Sequence, residues 1–192
     1  ETILIAAKSL LNTDAGTLYQ LDEDGRALHF KVLRNDSLQL YMGGTTGVAI
    51  PFPPISLYDA AGRPNTAMVV TYAVLNDATV MVEDAYADRN FDFSGTRQFD
   101  RRTGYCSRSF LTVPMKNHED RVVGAFQLIN ALDPETGQIK VFSSADRQLA
   151  ESLASQAAIA LTNHQLIEQL QSLFESLIKL INTAIDQKSP YT

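Results

Sequence analysis

Three histidines, His29, His118 and His164, and one cysteine, Cys106, are among the side chains with which this chain could ligate a metal or act as a nucleophile. Their spacing supports neither chemistry. No two histidines stand at the separation of a metal-ligating pair, and none neighbours Cys106 in sequence. The glycines form no phosphate-cradling loop of recognised pattern, and no nucleophile elbow is present. The acidic pairs Asp22/Asp24 and Glu119/Asp120 fall in turn-like stretches, where carboxylates are solvated. Binding is the better prospect, and Gln127 is its clearest signal. Val123, Ala125, Gln127 and Ile129 alternate along one strand face, so an amide interrupts an apolar row. A buried glutamine needs partners for both ends of that amide. A ligand could supply them, as could the protein itself.

The elements around Gln127 are legible. Ile3, Leu4, Ala7, Leu10 and Leu11 fall on one helical face and predict an opening helix, which Thr13-Asp14-Ala15-Gly16 ends. "GTLYQL" and "ALHFKVL" are strand-like and joined by the turn "DEDG". In the second, Leu28, Phe30 and Val32 alternate with Ala27, His29 and Lys31, which predicts one buried face and one wet face. Gly43 to Pro64 is a long connection in which Pro51, Pro53 and Pro54 deny a helix or a central strand. Loops of that length are often functional. Asn65 is placed to cap a helix with Met68, Val69, Ala73 and Val74 on its inner side. "TVMVED" is a short strand, and the polar, aromatic stretch Ala85 to Gly104 has room for a short helix. "SFLTVPMKNHEDRVVGAFQLIN" reads as a hairpin of central strands. After the loop "ALDPETGQ", Ser143 and Asp146 have capping-box spacing, and a helix without proline or glycine follows to about Gln187. This order describes an α+β domain, an antiparallel sheet with helices packed against it.

The composition is that of a globular protein, 45% hydrophobic and 20% charged. No apolar run approaches the ~20 residues that span a bilayer, so a membrane is not an expected partner. A net charge of −6 without a basic run argues against nucleic acid. A single cysteine excludes an internal disulfide and fits a reducing cytoplasm.

The last helix carries a heptad seam: Leu149, Leu153, Gln156, Ala160, Asn163, Ile167, Leu170, Phe174, Leu177, Ile181 and Ala184. At ~1.5 Å per residue such a helix is roughly 66 Å long. Leu166, Leu173 and Leu180 add a second apolar row. A helix so apolar, reaching so far past one domain, is expected to pair in a homodimer; the alternative is that it folds back on its own sheet.

The stretch "VEDAYADRNFDFSGTRQFDRRTGYCSRSFLTVPMKNHEDRVVGAFQLINALD" resembles a GAF domain, closest in style to those that bind cyclic nucleotides in mammalian-type phosphodiesterases and cyanobacterial adenylyl cyclases. The matching words are "DAY", an Asp shortly before "TGY", "SFLTVP" before the hairpin, and "VVGAFQLIN". The resemblance implies a GAF-like sheet over residues 1–163 and a small-molecule effector, a cyclic nucleotide being one candidate. It implies ligand contacts from Asp100, Thr103, Ser107 and Gln127, with Thr17 on the first strand and Arg34 after the second. Val69 and Val70 would present backbone groups at the start of the inner helix, and Phe93 would roof the pocket. Thr103 and Ser107, four apart, would share a helical face and help hold a phosphate, or serve as cap and surface hydroxyl. The sequence departs from the family's Asn-Lys, Phe, Asp-Glu signature. Asn130, Phe142 and Asp146 are present, but Ala131 and Arg147 stand where Lys and Glu are usual, so that ion pair cannot form. Bilin-carrying relatives attach a chromophore through a cysteine beside a histidine; Cys106 is followed by Ser107-Arg108 instead.

The final words "LINTAIDQKSPYT" resemble the entrance to an HD-GYP domain, a metal-dependent bacterial phosphodiesterase that degrades cyclic di-GMP. This implies a sensory domain at 1–163, a connecting helix at 164–187, and the start of an output domain at 188–192. Any divalent metal would belong to that output domain, and the chain itself would be regulatory rather than catalytic.

Overall fold

The computed structural model describes residues 1–188. The elements in chain order are α1 (Thr2–Leu10), β1 (Thr13–Leu21), β2 (Ala27–Asn35), β3 (Leu40–Gly43), β4 (Ile55–Ser56), α2 (Val69–Leu75), β5 (Val80–Val82), α3 (Ser94–Thr103), β6 (Phe110–Lys116), β7 (Val122–Leu132), β8 (Ile139–Lys140) and α4 (Ser144–Lys188). The sheet is antiparallel, with order β3-β2-β1-β7-β6-β5; β4 adds to β2 and β8 to β7. The first hairpin thus lies beside the last one, and β1 and β7 are the central pair.

Both faces of that pair are covered, as the apolar character of the last hairpin predicts. One face carries α1 and the first third of α4. There Leu4, Ala7 and Leu11 meet Leu18, Leu111, Phe126 and Leu128, closed by Ala150, Leu153, Ala154, Ala157 and Ala158. The alanines recur at helical spacing and let the α4 backbone lie close to β6. Leu10 points away and is exposed, so the predicted apolar face of α1 is one residue narrower. Each large side chain fully buried here contributes ~1.5–3 kcal/mol. The other face carries α2, α3 and the long loops, over Tyr19, Leu28, Val70 and Ala125 at one end and Val69, Val82, Phe93 and Phe110 at the other.

Two bulges correct the expected face assignments. In β1–β2 the pairing passes from Leu18–Val32 directly to Tyr19–Phe30, leaving Lys31 unpaired. Val32 therefore joins the α1/α4 core while Leu28 and Phe30 face α2. A period-2 pattern cannot foresee this, because one extra residue reverses every side chain beyond it. The same happens in β6–β7, where Met115 pairs with Gly124 and Lys116 with Val122. Val123 is thereby shifted from the Ala125/Gln127/Ile129 row to the α1/α4 core.

The capping box of α4 forms as expected: the Asp146 backbone N–H donates to Ser143 Oγ at 3.2 Å, and the Ser143 N–H to Asp146 Oδ2 at 2.7 Å. The cap expected of Asn65 does not. Its amide donates to the Ser56 carbonyl, and α2 begins only at Val69. Asn65 instead closes the β4 loop, a task open to any short amide beside an unpaired carbonyl.

Beyond Leu161 α4 leaves the domain, and the fold-back alternative does not occur. Leu166, Ile167, Leu170, Leu173, Phe174, Leu177, Leu180 and Ile181 are all exposed, Leu173 at 66% and Phe174 at 64%. Gln156 and Asn163 of the seam are exposed. No described helix is long and apolar enough to cross a membrane.

Candidate ligand-binding site

A cavity of about 500 Å³ lies between the α2/α3 face of the sheet and the loops that cross it. Its floor is β1, β2 and β7, through Thr17, Tyr19, Phe30, Gln127 and Ile129; its walls come from the start of α2, from α3 along its length and from Phe52 on the proline-rich loop. The volume falls within the range of small-molecule sites. Of the nine residues expected at the site, Thr17, Arg34, Val69, Val70, Phe93, Ser107 and Gln127 line it, whereas Asp100 and Thr103 do not.

Gln127 sits on β7 between Thr17 of β1 and Thr112 of β6. Its Nε2 donates to Thr112 Oγ1 at 2.8 Å, and its Oε1 accepts from the Tyr19 hydroxyl at 3.2 Å. The protein thus supplies one partner at each end of the amide, leaving one N–H and one lone pair. Burial pushes the Tyr19 phenol well above its ordinary range, so it remains a donor.

Arg34 is almost fully buried, and both its terminal nitrogens are hydrogen-bonded. Its guanidinium donates to the carbonyls of Leu33 at 2.7 Å and Met42 at 2.6 Å, and pairs with the Glu1 carboxylate. Glu1 is held near pKa 2, chiefly by the Thr45 hydroxyl and backbone N–H, with Arg34 adding to the effect. Arg34 therefore ties β2, β3 and the start of α1 together, although its edge reaches the cavity.

The residues around "TGY" depart most from expectation. Thr103 is the last residue of α3, not the start of a helix, and Gly104 ends that helix with φ 76°, a left-handed turn that suits glycine. Ser107 lies beyond it, outside any helix, so the two hydroxyls share no helical face. Thr103 Oγ1 donates back to the Phe99 carbonyl at 2.9 Å. Asp100 accepts from the Ser107 N–H and hydroxyl, both at 2.8 Å, and from Tyr86 at 2.7 Å. That last bond, more than burial, raises the Tyr86 phenol to about 12. Asp100 and Ser107 thus brace the loop behind the cavity instead of presenting a phosphate clamp. Val69 and Val70 do open α2, and Phe93 is buried against Phe110 with ring centroids 5.2 Å apart, forming a wall more than a roof.

What spacing did not disclose is an aromatic ladder across the cavity. Tyr19 and Phe30 have centroids 4.8 Å apart, Phe30 and Phe52 5.4 Å, and Phe52 and Phe99 6.4 Å. Phe52 comes from the proline-rich loop and Phe99 from α3, so the sequence held no local pattern linking them. Arg102, one helical turn beyond Phe99, also lines the site. Its three-residue spacing from Phe99 was the available clue.

An α+β sheet covered on one face by its terminal helices, with a loop-walled cavity on the other, is the architecture of a sensory or regulatory module. Residues 1–161 match the GAF domain family model, and the chain belongs to that family. It is similar to the dual 3',5'-cyclic-AMP and -GMP phosphodiesterase 11A of Takifugu rubripes, 24% identical over 124 residues, covering 63% of this chain and 13% of that protein. It is 33% identical over 92 residues to the dual 3',5'-cyclic-AMP and -GMP phosphodiesterase 11 of Drosophila melanogaster, covering 48% of this chain and 6% of that one. The chain therefore spans only a small part of the relatives it matches. In fold it is similar to the GAF domain of an Acinetobacter phosphoenolpyruvate-protein phosphotransferase, with TM-score 0.59, 16% identity, and coverage of 87% of this chain and 82% of that one. A methyl-accepting chemotaxis protein, residues 122 to 287, gives TM-score 0.58 at 17% identity, covering 86% and 87%.

Proposed function

We propose that this chain is the sensory part of a signalling protein, which binds a small molecule in the sheet-and-loop cavity and transmits its occupancy through α4. The observation that carries this reading is continuity. Gln127 and Ile129 line the cavity from β7, and one loop and the short β8 separate that strand from α4, whose far half presents an unpartnered apolar face. Two copies pair along the Ile167–Leu170–Phe174–Leu177–Ile181 seam, and ligand changes how the paired helices sit. It can do so only by binding the two arrangements unequally. The output is an attached HD-GYP phosphodiesterase acting on cyclic di-GMP. The motif supporting that part, Ser189-Pro190-Tyr191, lies outside the described residues.

A cyclic nucleotide is the finer reading of the ligand. It is supported by the family resemblance, by the names of the two phosphodiesterase relatives, and by a cavity large enough for one. Thr17 and the spare N–H and lone pair of Gln127 are the groups left to read a base edge. Titrating cAMP, cGMP and cyclic di-GMP while following the melting temperature tests it. At a hundredfold excess over Kd, binding to the folded state adds ~2.7 kcal/mol. The absence of a shift with all three removes the nucleotide reading.

One observation favours a second reading, a ligand-free dimerisation module: the polar groups of Gln127, Arg34 and Asp100 already have protein partners. Native mass spectrometry of protein purified from cells separates the two, since a retained small molecule supports only the first.

A further inference from the structure

The geometry points to a planar aromatic anion as the ligand class of this cavity, with its ring stacked on the Phe30–Phe52–Phe99 ladder and its negative group on Arg102. The inference rests on the small-molecule reading above and narrows it. Three observations carry it.

The first is the ladder itself. Phe52 and Phe99 approach from opposite sides at 6.4 Å, edge to face, while Phe30 and Phe52 lie at 5.4 Å. Rings prefer offset or edge-on neighbours at these separations, so a flat ring entering between loop and α3 meets ready partners. All three rings are half-buried, and Phe52 stands on a loop, which can part from the others without disturbing the sheet.

The second is the fate of the cations. Arg34 has both terminal nitrogens bonded to backbone carbonyls and Glu1, so its charge is already compensated by a carboxylate. Arg102 lines the same cavity, and among the described residues no carboxylate forms an ion pair with it. A guanidinium at the edge of an apolar, partly water-excluded site holds a carboxylate, sulfonate or phosphate by two parallel hydrogen bonds.

The third is polarity along α3. Asp92 lines the opposite end of the cavity, next to the N-terminus of α3, where it accepts from the Ser94 N–H at 2.8 Å. Arg102 stands at the other end, about the length of a ten-residue helix away, ~15 Å. An acid is drawn to one end and repelled from the other, which fixes its orientation.

The test is calorimetric titration of the whole chain with 2-naphthoate, 2-naphthalenemethanol and 2-naphthylmethylamine, in the wild type and in R102Q, F52A and F99A. We expect naphthoate to bind about tenfold or more tightly than the neutral alcohol, the size of one charge-assisted hydrogen bond. R102Q should abolish that preference while leaving the alcohol unchanged, and F52A and F99A should weaken both. Equal binding of acid and alcohol, preference for the amine, or an acid preference that survives R102Q each overturn the inference. Naphthyl binding that ignores F52A and F99A places the ligand off the ladder and also overturns it. If no naphthyl compound binds but native mass spectrometry finds another retained molecule, this inference fails and the sensor reading stands. If nothing is retained either, both fall.

Discussion

The Tyr105 hydroxyl donates to Asp14 Oδ2 at 2.5 Å, joining the loop after α3 to the start of β1, 91 residues away in sequence. The same hydroxyl accepts from Asn130 Nδ2 at 3.0 Å, and Asn130 also binds the Cys106 carbonyl and the Arg108 N–H, both at 2.8 Å. Asp14 in turn holds the Ser37 N–H and hydroxyl. Two strands, β1 and β7, and the cavity's rear loop therefore meet on one phenol. Asn130 takes φ 58° to reach it, a conformation asparagine tolerates better than most residues.

Removing that oxygen leaves a buried carboxylate short of a donor. Tyr105→Phe should destabilise the domain by ~1.5–3 kcal/mol, the cost of a lost hydrogen bond to a charged group. Asp14→Asn, which keeps an acceptor, should cost less. Urea unfolding of both variants checks the order, and a Tyr105→Phe midpoint equal to wild type sinks the account.

Gly124 is required by close approach. A Cβ there would lie 2.1 Å from the Tyr19 carbonyl oxygen and 2.8 Å from Met115 Cε. The first of these is backbone of the central β1–β7 pair and cannot yield without breaking the ladder. Gly124→Ala should cost several kcal/mol, on the order of 3 or more, read as a fall in melting temperature or as insoluble protein.

Alkali should unfold the domain before it titrates its core phenols. Tyr19 is raised by burial and Tyr105 by burial and by Asp14, while Tyr86, which is exposed, is raised to about 12 by its bond to Asp100. A raised phenol favours the folded state while it stays protonated. That contribution is whole below the ordinary pKa of ~10 and is lost as pH climbs toward the folded value. Phenolate absorbance should therefore show a late, cooperative phase coincident with loss of circular dichroism. If Tyr86→Phe leaves the alkaline midpoint unmoved, the assigned cause is wrong.

The projecting part of α4 should hold two copies together. Light scattering is expected to give a dimer for the wild type. Leu170→Lys with Leu177→Lys should give monomers, because each exposed leucine that pairs would otherwise bury ~1.5–3 kcal/mol of apolar contact. The double variant should keep the melting temperature of the domain, since neither residue touches it. A wild-type monomer would remove the transmission step.

Apart from the short strands β3, β4 and β8, the sequence alone determined the element order, the α+β class, the last hairpin, the Ser143–Asp146 cap and the uninterrupted run of α4. All of these are local: turn chemistry, capping spacing and the absence of breakers act within a few residues. It also marked Gln127, because a polar side chain in an apolar row is visible without a fold. Tertiary structure decided which face each row covers, since the bulges at Lys31 and Val123 reverse the alternation without leaving a composition signal. It decided too that Arg34, Asp100 and Ser107 spend their hydrogen bonds on the protein, while Phe30, Phe52, Phe99 and Arg102 face the cavity. Those outcomes depend on contacts between residues far apart in the chain, and a side chain's partners are fixed only when the elements that carry them have packed.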